Sequence, residues 1–575
     1  MPITAAALRP ASTFSSPAPH RSGNSRWLCL LLFGFWLTGC ASLPSEIDRP
    51  ISTALANPSE TRLGRAVETR AASAGTRNDS GFALVGSAEL AFTSRMTLIK
   101  AAQKTLDIQY YAIFADDTTE RMFDALREAA GRGVRIRILL DDFNTSGKNA
   151  QVLKLAFEKN IELRLFNPLP GGRGSMFFRI LSNLKDVARM QRRMHNKIFA
   201  ADNAVAIIGG RNLGETYFGQ SEGTNFVDID LLAAGRIARD LSRSFDQYWN
   251  NPLAYPVQSL MTEEDIEALK PKTHRANATT RPGTPEDPAV QATTTQTTPS
   301  TQNLTTTERI TTSPNGVITT LPALPDSTDL RLLTWTWAPS VLLVDKPSKI
   351  AADADTVAES QDTAVDGLLQ LMAQAKTELL IVSSYFVPGE RMMKQFADLR
   401  QRGVRVRVLT NSLASNDAPA AHAGYAHYRE ALLAMGIELY EMRAEQEGSI
   451  MSLGSVGGST GDAIGASRAS LHAKVVVIDS RLLVVGSMNL DLRSKLQNSE
   501  VAIVIRNRAL SAEATRMIEP ALARGAWRVE LVDGQLVWRA PQGSDLKDST
   551  SEPDASLTLK LLLKLIGPFA PEEML

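Results

Sequence analysis

Apolar positions along this chain fall into two similar series. Leu106 to Phe114 is rich in branched and aromatic residues and predicts a strand. Thr119 to Ala130 has helical spacing and is stopped by Gly131-Arg132-Gly133; Val134 to Leu140 predicts a second strand. The series then recurs. Leu379 to Val387 predicts a strand and Glu390 to Gln401 a helix. Arg402 to Leu409 next repeats the pattern of Arg132 to Leu139, 270 residues on. Strands alternating with helices predict α/β halves with largely parallel central strands, and the recurrence predicts a duplication of whole domains.

The intervening stretches read differently. The pattern becomes globular near Leu84, which sets a first domain at 81–255 and a second at 329–540. Residues 40–80 are mixed and polar, as expected of a tether. Residues 272–328 are rich in Thr, Pro, Asn and Gln and predict a disordered insertion, since they offer too little apolar surface to offset the entropy of ordering. Met451 to Ser470 is rich in Gly and Ser and reads equally as a flexible loop or a lid. In the tail, 541–575, Ser556 to Ile566 is too short to span a bilayer. Lys560 and Lys564 lie one helical turn apart there, which suits a helix at a membrane interface or one docked on the core.

The first 39 residues read as an address. Arg21 and Arg26 precede an apolar run from Trp27 to Trp36 that ends in Leu37-Thr38-Gly39-Cys40. A basic start, a short apolar centre and a small-residue exit describe a secretory signal peptide, too short to span a bilayer. The exit resembles the bacterial lipobox, which implies cleavage before Cys40 and lipidation of that residue.

The repeat carries chemistry. His195-x-Lys197-x4-Asp202-x6-Gly209-Gly210-x-Asn212 recurs as His472-x-Lys474-x4-Asp479-x6-Gly486-Ser487-x-Asn489, 277 residues on. Residues i and i+2 of a strand share a face, so each histidine projects with its lysine. Asp202 and Asp479 fall at a turn before an antiparallel return strand. They complete the motif, with a structural part at the turn or across the halves favoured over proton transfer. Gly210 and Ser487 let backbone approach a ligand, and Asn212 and Asn489 offer amide donors, so these four are candidate phosphate-binding positions. Two lysines can offset the charge of a phosphodiester, one neutral histidine can attack phosphorus, and a second can act as acid and base. A carboxylate on the far ring nitrogen would orient each imidazole. Glu500 is the candidate in the second half and Asp228 in the first, with Asp230 an alternative.

Composition narrows the classes. The 62 basic and 62 acidic residues cancel, which argues against a long polyanion as the main ligand, so no nucleic acid is expected. The only cysteines are Cys29 and Cys40, which excludes a Cys-rich metal site. Paired lysines beside the motif histidines disfavour a cation there, so no metal or cofactor is expected. His422 and His427, on a predicted helix, read as structural.

Both motifs match the paired His-x-Lys-x4-Asp signature of the phospholipase D superfamily. Tyr110-Tyr111, Asp141-Asp142, Phe166-Asn167-Pro168, Gly209-Gly210-Arg211-Asn212, Tyr217-Phe218-Gly219, Tyr385 to Gly389 and Asn489-x-Asp491-x-Arg493-Ser494 resemble the bacterial cardiolipin synthase C branch. The resemblance implies two similar α/β domains packed as a pseudo-symmetric pair around one shared active site. It also implies a metal-independent phosphatidyl transferase, joining a phosphatidyl group from one phospholipid to phosphatidylglycerol through a phosphohistidine. Expected partners are phosphatidylglycerol, phosphatidylethanolamine and the membrane that holds lipidated Cys40, on the periplasmic side of a bacterial envelope. Hydrolysis of phospholipids by the same residues is the alternative; a nuclease or a non-catalytic envelope lipoprotein is disfavoured. The Thr-rich insertion and the lipobox depart from the usual pattern of the branch.

Overall fold

The computed structural model describes residues 43–76, 78–268, 308–312, 318–322, 324–352, 356–357, 362–445 and 468–566. The N-terminal address with Cys40, most of the Thr-rich segment and most of Met451 to Ser470 lie outside the described residues. The described residues from Pro44 onward belong to one compact unit.

The first half supplies β1 (Ser80–Val85), β2 (Thr105–Tyr110), β3 (Arg135–Asp141), β4 (Ile161–Phe166), β5 (Ile198–Ala201), β6 (Val205–Gly209), β7 (Thr224–Val227), β8 (Asp230–Ala234) and β9 (Ala254–Pro256). A hairpin of β10 (Glu308–Thr312) and β11 (Ile318–Pro322) follows, then β12 (Thr336–Ala338). The second half supplies β13 (Ser340–Val344), β14 (Glu378–Ser383), β15 (Arg405–Asn411), β16 (Glu438–Met442), β17 (Arg468–Leu471), β18 (Lys474–Ile478), β19 (Leu482–Gly486), β20 (Val501–Arg506), β21 (Ala526–Val532) and β22 (Gln535–Arg539).

Two nine-stranded sheets result, ordered β12-β1-β8-β6-β5-β2-β3-β4-β9 and β13-β20-β19-β18-β14-β15-β16-β21-β22. Leaving out the added edges β12 and β22, the two orders correspond strand for strand. Within these two sheets only β2-β3-β4 and β14-β15-β16 run parallel; their other ladders are antiparallel, and β7 and β17 form a separate parallel pair. The halves are thus mixed sheets rather than largely parallel ones. The reason lies in the connections. Helices Asp117–Gly131 and Gly389–Gln401 carry the chain across to a parallel neighbour, whereas each motif strand returns through a tight hairpin.

Local chemistry explains the boundaries. Asp116 and Thr119 form a reciprocal capping box at the start of helix Asp117–Gly131. Gly133 and Gly403 take positive φ just after the helices, a conformation that costs glycine little. The two motif hairpins turn at Asp202-Asn203 and Asp479-Ser480. All four residues have φ near +50°, a left-handed pair that small polar residues such as Asp and Asn tolerate. The inner faces of the sheets share one buried cluster, in which Ile198, Ile208 and Leu231 join Val475, Val485 and Ile503.

Two boundary expectations need correction. Part of the expected tether is bound to the first half: the Ser52 and Ala54 N–H groups donate to Asn250 and Asp246, and Arg62–Ser73 is a helix. Those bonds use backbone donors, which polarity of the side chains does not disclose. Within the expected disordered insertion, β10 and β11 pair, and residues near Thr328 bond to Thr97. Pairing by backbone again needs little apolar surface. The tail is also held, through Glu552 against buried Arg429, and its helix Leu557–Ile566 leaves Leu557, Leu561 and Leu565 exposed.

Candidate active site

Two backbone crossings build the site. β7 runs parallel to β17 and ends with the His472 N–H donating to the Val227 carbonyl at 2.8 Å. Met194 bridges Ser499 in parallel, and the His195 N–H donates to the Ser499 carbonyl at 3.0 Å. Each histidine is therefore stitched to the residue just before a carboxylate of the other half. His195 Nδ1 lies 3.0 Å from both Glu500 oxygens, and His472 Nδ1 lies 2.9 Å from Asp228 Oδ2. The two carboxylate candidates are in place, but each serves the opposite half's histidine. Asp230 does not take part; it pairs with Arg95 at 2.9 Å and Arg211 at 3.4 Å.

Both carboxylates are anchored. Glu500 accepts from Ser487 Oγ at 2.5 Å and Ser494 Oγ at 2.9 Å, while Asp228 Oδ1 accepts from the Ile229 N–H at 2.8 Å. The carboxylate bonds engage Nδ1 and leave Nε2 of each ring as the atom for a substrate. Lys197 donates to its own His195 carbonyl at 2.8 Å. Lys474 donates to the His472 carbonyl and to Ser384 Oγ, the latter at 2.7 Å. Each lysine thereby braces the backbone that presents the histidine.

Burial governs the protonation states. It lowers His195 to about 4, against the pull of Glu500 and with a further push from Lys197. His472 is also driven well below its ordinary value, by burial and then by Lys474, Lys197 and His195. Burial lowers Lys197 to about 7 and Lys474 to about 8, with Glu500 and Asp228 respectively opposing it most. Burial would raise Glu500, yet His195 and Lys197 hold it below its usual range. The resting site therefore has two neutral imidazoles at neutral pH, each able to donate its Nδ1 proton to a carboxylate.

Four sequence candidates are held away from the ring atoms that would meet a substrate, the two aspartates at the turn where a structural part is favoured. Asp202 accepts from the Gln103, Lys104 and Thr105 N–H groups, and Asp479 from those of Lys376, Thr377 and Glu378. They lie at the far end of the motif strands, roughly 23 Å from the histidines at the rise of an extended chain. They close a helix-to-strand corner. Ser487 is turned to Glu500, and Gly210 is packed behind His472. A Cβ on Gly210 would come within 2.4 Å of Asp228 Oδ2 and 2.7 Å of the His472 carbonyl. Both positions therefore shape the orienting carboxylates.

Asn212 spends Oδ1 on the Ala112 N–H at 3.3 Å and one Nδ2 hydrogen on Tyr217 at 2.9 Å, which leaves its second amide hydrogen. Asn489 is buried, and its Oδ1 has no partner among the described residues. His422, by contrast, sits in a buried cluster with Arg429 and Glu552, in keeping with a structural part.

Several neighbours were given no part in the site by the sequence. Tyr111 meets His195 edge-on with centroids 5.2 Å apart; Tyr217 and Phe226 lie 5.2 and 5.0 Å from His472. Asp141 Oδ2 and Asn411 Oδ1 each accept, at 2.8 Å, the N–H of the residue preceding a motif histidine. These two occupy equivalent places in the 270-residue repeat, a signal the sequence did contain.

Comparison with known proteins agrees with this architecture. A family profile described as "Cardiolipin synthase, PLD-like domain" matches residues 96–249 and again 368–521. The chain is 34% identical to cardiolipin synthase C of Escherichia coli (strain K12) over 492 residues, covering 84% of this chain and 94% of that protein. Cardiolipin synthase B of Salmonella typhimurium (strain LT2) is 20% identical, over 76% of this chain and 79% of its own length. Among solved structures, phosphatidylserine synthase of Haemophilus influenzae Rd KW20 shares the fold, with a TM-score of 0.52 at 13% identity over 88% of this chain and 99% of that one.

Proposed function

Because the chain belongs to the phospholipase D superfamily, as an enzyme with two cardiolipin-synthase-type domains, we propose that it transfers phosphatidyl groups and makes cardiolipin from phosphatidylglycerol and a second phospholipid. The observation that carries this reading is the pair of neutral, cross-anchored imidazoles flanked by two buried lysines.

In the proposed course, Nε2 of His195 attacks the phosphorus of the donor lipid. The bond from phosphorus to the headgroup oxygen breaks, and His472 gives that oxygen a proton. His472 then removes a proton from a primary hydroxyl of phosphatidylglycerol, whose oxygen displaces His195. Cardiolipin and the donor's headgroup alcohol leave. His472 is neutral in the free enzyme because positive neighbours surround it in a buried setting. An incoming phosphate anion offsets those charges and favours the imidazolium. Lys197, Lys474, Asn212 and Asn489 would bind the phosphate oxygens, most strongly as charge builds.

The test is to incubate the pure enzyme with phosphatidylglycerol, with and without phosphatidylethanolamine, and to identify the products. Cardiolipin with glycerol or ethanolamine supports transfer; phosphatidic acid alone overturns it in favour of hydrolysis. Trapping a phosphoenzyme in His472→Ala but not in His195→Ala would assign the nucleophile as stated. Cys40 is proposed as the lipidated residue that holds the enzyme at the periplasmic face of the envelope. Labelling with a radiolabelled fatty acid that disappears in Cys40→Ser tests that assignment.

A further inference from the structure

Between β4 and the first motif, the chain forms helix Met176–Ser182, a turn at Leu184–Asp186 and helix Val187–Gln191. Its outer face is apolar and uncovered. Phe177 is 69% exposed and Phe178 68%, with Leu181, Leu184 and Val187 also exposed. Large apolar groups clustered in this way on a surface mark a contact site.

The inner face is pinned. Arg179 is buried and pairs with Asp142, also donating to the Asp142 carbonyl at 2.7 Å. Arg173 joins the same carboxylate. Asn183 donates to the Pro170 carbonyl at 3.0 Å and Asn167 to that of Arg192 at 2.8 Å. Such anchoring holds the phenylalanines outward.

The segment is also basic in an otherwise neutral chain. Apart from Arg179 and Arg193, which are buried against Asp142 and Asp141, the stretch from Met176 to Arg192 has Lys185, Arg189 and Arg192 against Asp186 alone. Apolar tips with a basic surround suit the interface of an anionic bilayer. Position supports the same occupant. Arg193 pairs with Asp141, whose other oxygen holds the Met194 N–H, and His195 follows directly. The segment therefore leads directly into the first motif histidine, its end fixed by the same carboxylate that holds the residue before that histidine.

We propose that Met176–Gln191 is a membrane-docking element, which inserts its phenylalanines into an anionic phospholipid leaflet and brings the mouth of the active site to the lipid headgroups. The inference rests on the phospholipid reading of the site, but it can be tested apart from it.

The experiment uses the full chain with Cys29→Ser and Cys40→Ser, so that no lipid anchor can contribute, and an environment-sensitive fluorophore on Phe177→Cys. Vesicles of phosphatidylglycerol should shift the emission to the blue and shield the label from an aqueous quencher; vesicles of phosphatidylcholine should do so weakly. A label that stays water-exposed on phosphatidylglycerol vesicles overturns the proposal. So does a label that becomes shielded with rising protein concentration in the absence of lipid, since a second copy would then be the occupant.

In parallel, Phe177→Ser with Phe178→Ser should raise the vesicle concentration needed for half-maximal turnover by at least about tenfold. Turnover of dihexanoyl-phosphatidylglycerol, dispersed below its micelle threshold, should stay unchanged. Unaltered vesicle turnover counts against docking here. If the label inserts but no lipid is turned over by the parent enzyme, the catalytic assignment fails and the docking site stands.

Discussion

Glu500 belongs to one half of the molecule and holds His195 of the other, with both carboxylate oxygens 3.0 Å from Nδ1. The carboxylate stays ionised because His195, Lys197 and Ser487 offset the burial that would otherwise protonate it. Replacing it by an amide keeps the shape but removes the charge that holds the ring in the tautomer with Nε2 free. Glu500→Gln is therefore expected to lower kcat by up to about 10⁴-fold with a small change in KM, by analogy with other carboxylate–histidine pairs. Steady-state kinetics with circular dichroism as a fold control checks this.

His472 and His195 cannot substitute for one another, since each lies against its own carboxylate. His472→Ala and His195→Ala should each reduce product formation by at least about 10³-fold. Near-normal turnover in either variant, measured by lipid chromatography, would remove the two-histidine scheme.

The buried lysines set the alkaline side of the pH profile. With Lys197 at about 7 and Lys474 at about 8, kcat/KM should decline between those values as the ammonium groups discharge. On the acid side it should hold until His195 takes a proton near about 4. A Lys197→Arg, Lys474→Arg variant that retains activity should shift the alkaline limb above about 9, because guanidinium stays charged. Stability follows a related sign. Unfolded histidine binds a proton below about 6.5, whereas folded His195 waits until about 4, so stability falls as pH drops through that window. Thermal melts across the range report it.

Asp202 serves the corner between helix Ala88–Ala101 and β2, where three backbone donors converge on it. Asp202→Ala should cost about 1.5–3 kcal/mol of stability, the range for hydrogen bonds to a charged group. The kcat of the molecules that remain folded should be near normal. Urea melts beside active-site titration separate the two effects.

Gly210→Ala probes the close packing behind the second histidine. The added methyl cannot coexist with Asp228 and the His472 carbonyl where they stand. The expected result is loss of most activity, with weakened His472 orientation visible as a changed ring-nitrogen shift in NMR.

Much of this was legible in the sequence because it was written twice. The repeat gave both halves, and the i, i+2 spacing leading into β5 and β18 paired each histidine with its lysine. The motif aspartates were harder to read. Asp202 and Asp479 recur at fixed spacing, which signals need without saying whether the need is chemical or architectural; their backbone partners lie about 100 residues away. Assigning Glu500 to His195 was beyond sequence reasoning for the same cause, since the pairing depends on how the two sheets meet across their shared cluster. The exposed phenylalanines were hidden differently. Met176 to Leu181 has the apolar character of a core segment, and anchoring of its inner face, by Arg179 among others, turns its phenylalanines outward.

Strand β12 pairs with β1 of the first sheet, although it immediately precedes β13 of the second. The covalent connection through residues 269–307 is thus not what joins the two lobes. A chain severed there should still copurify as a two-fragment enzyme, and the lobes expressed from separate genes should find one another, so that complementation between fragments becomes a way to build hybrid active sites.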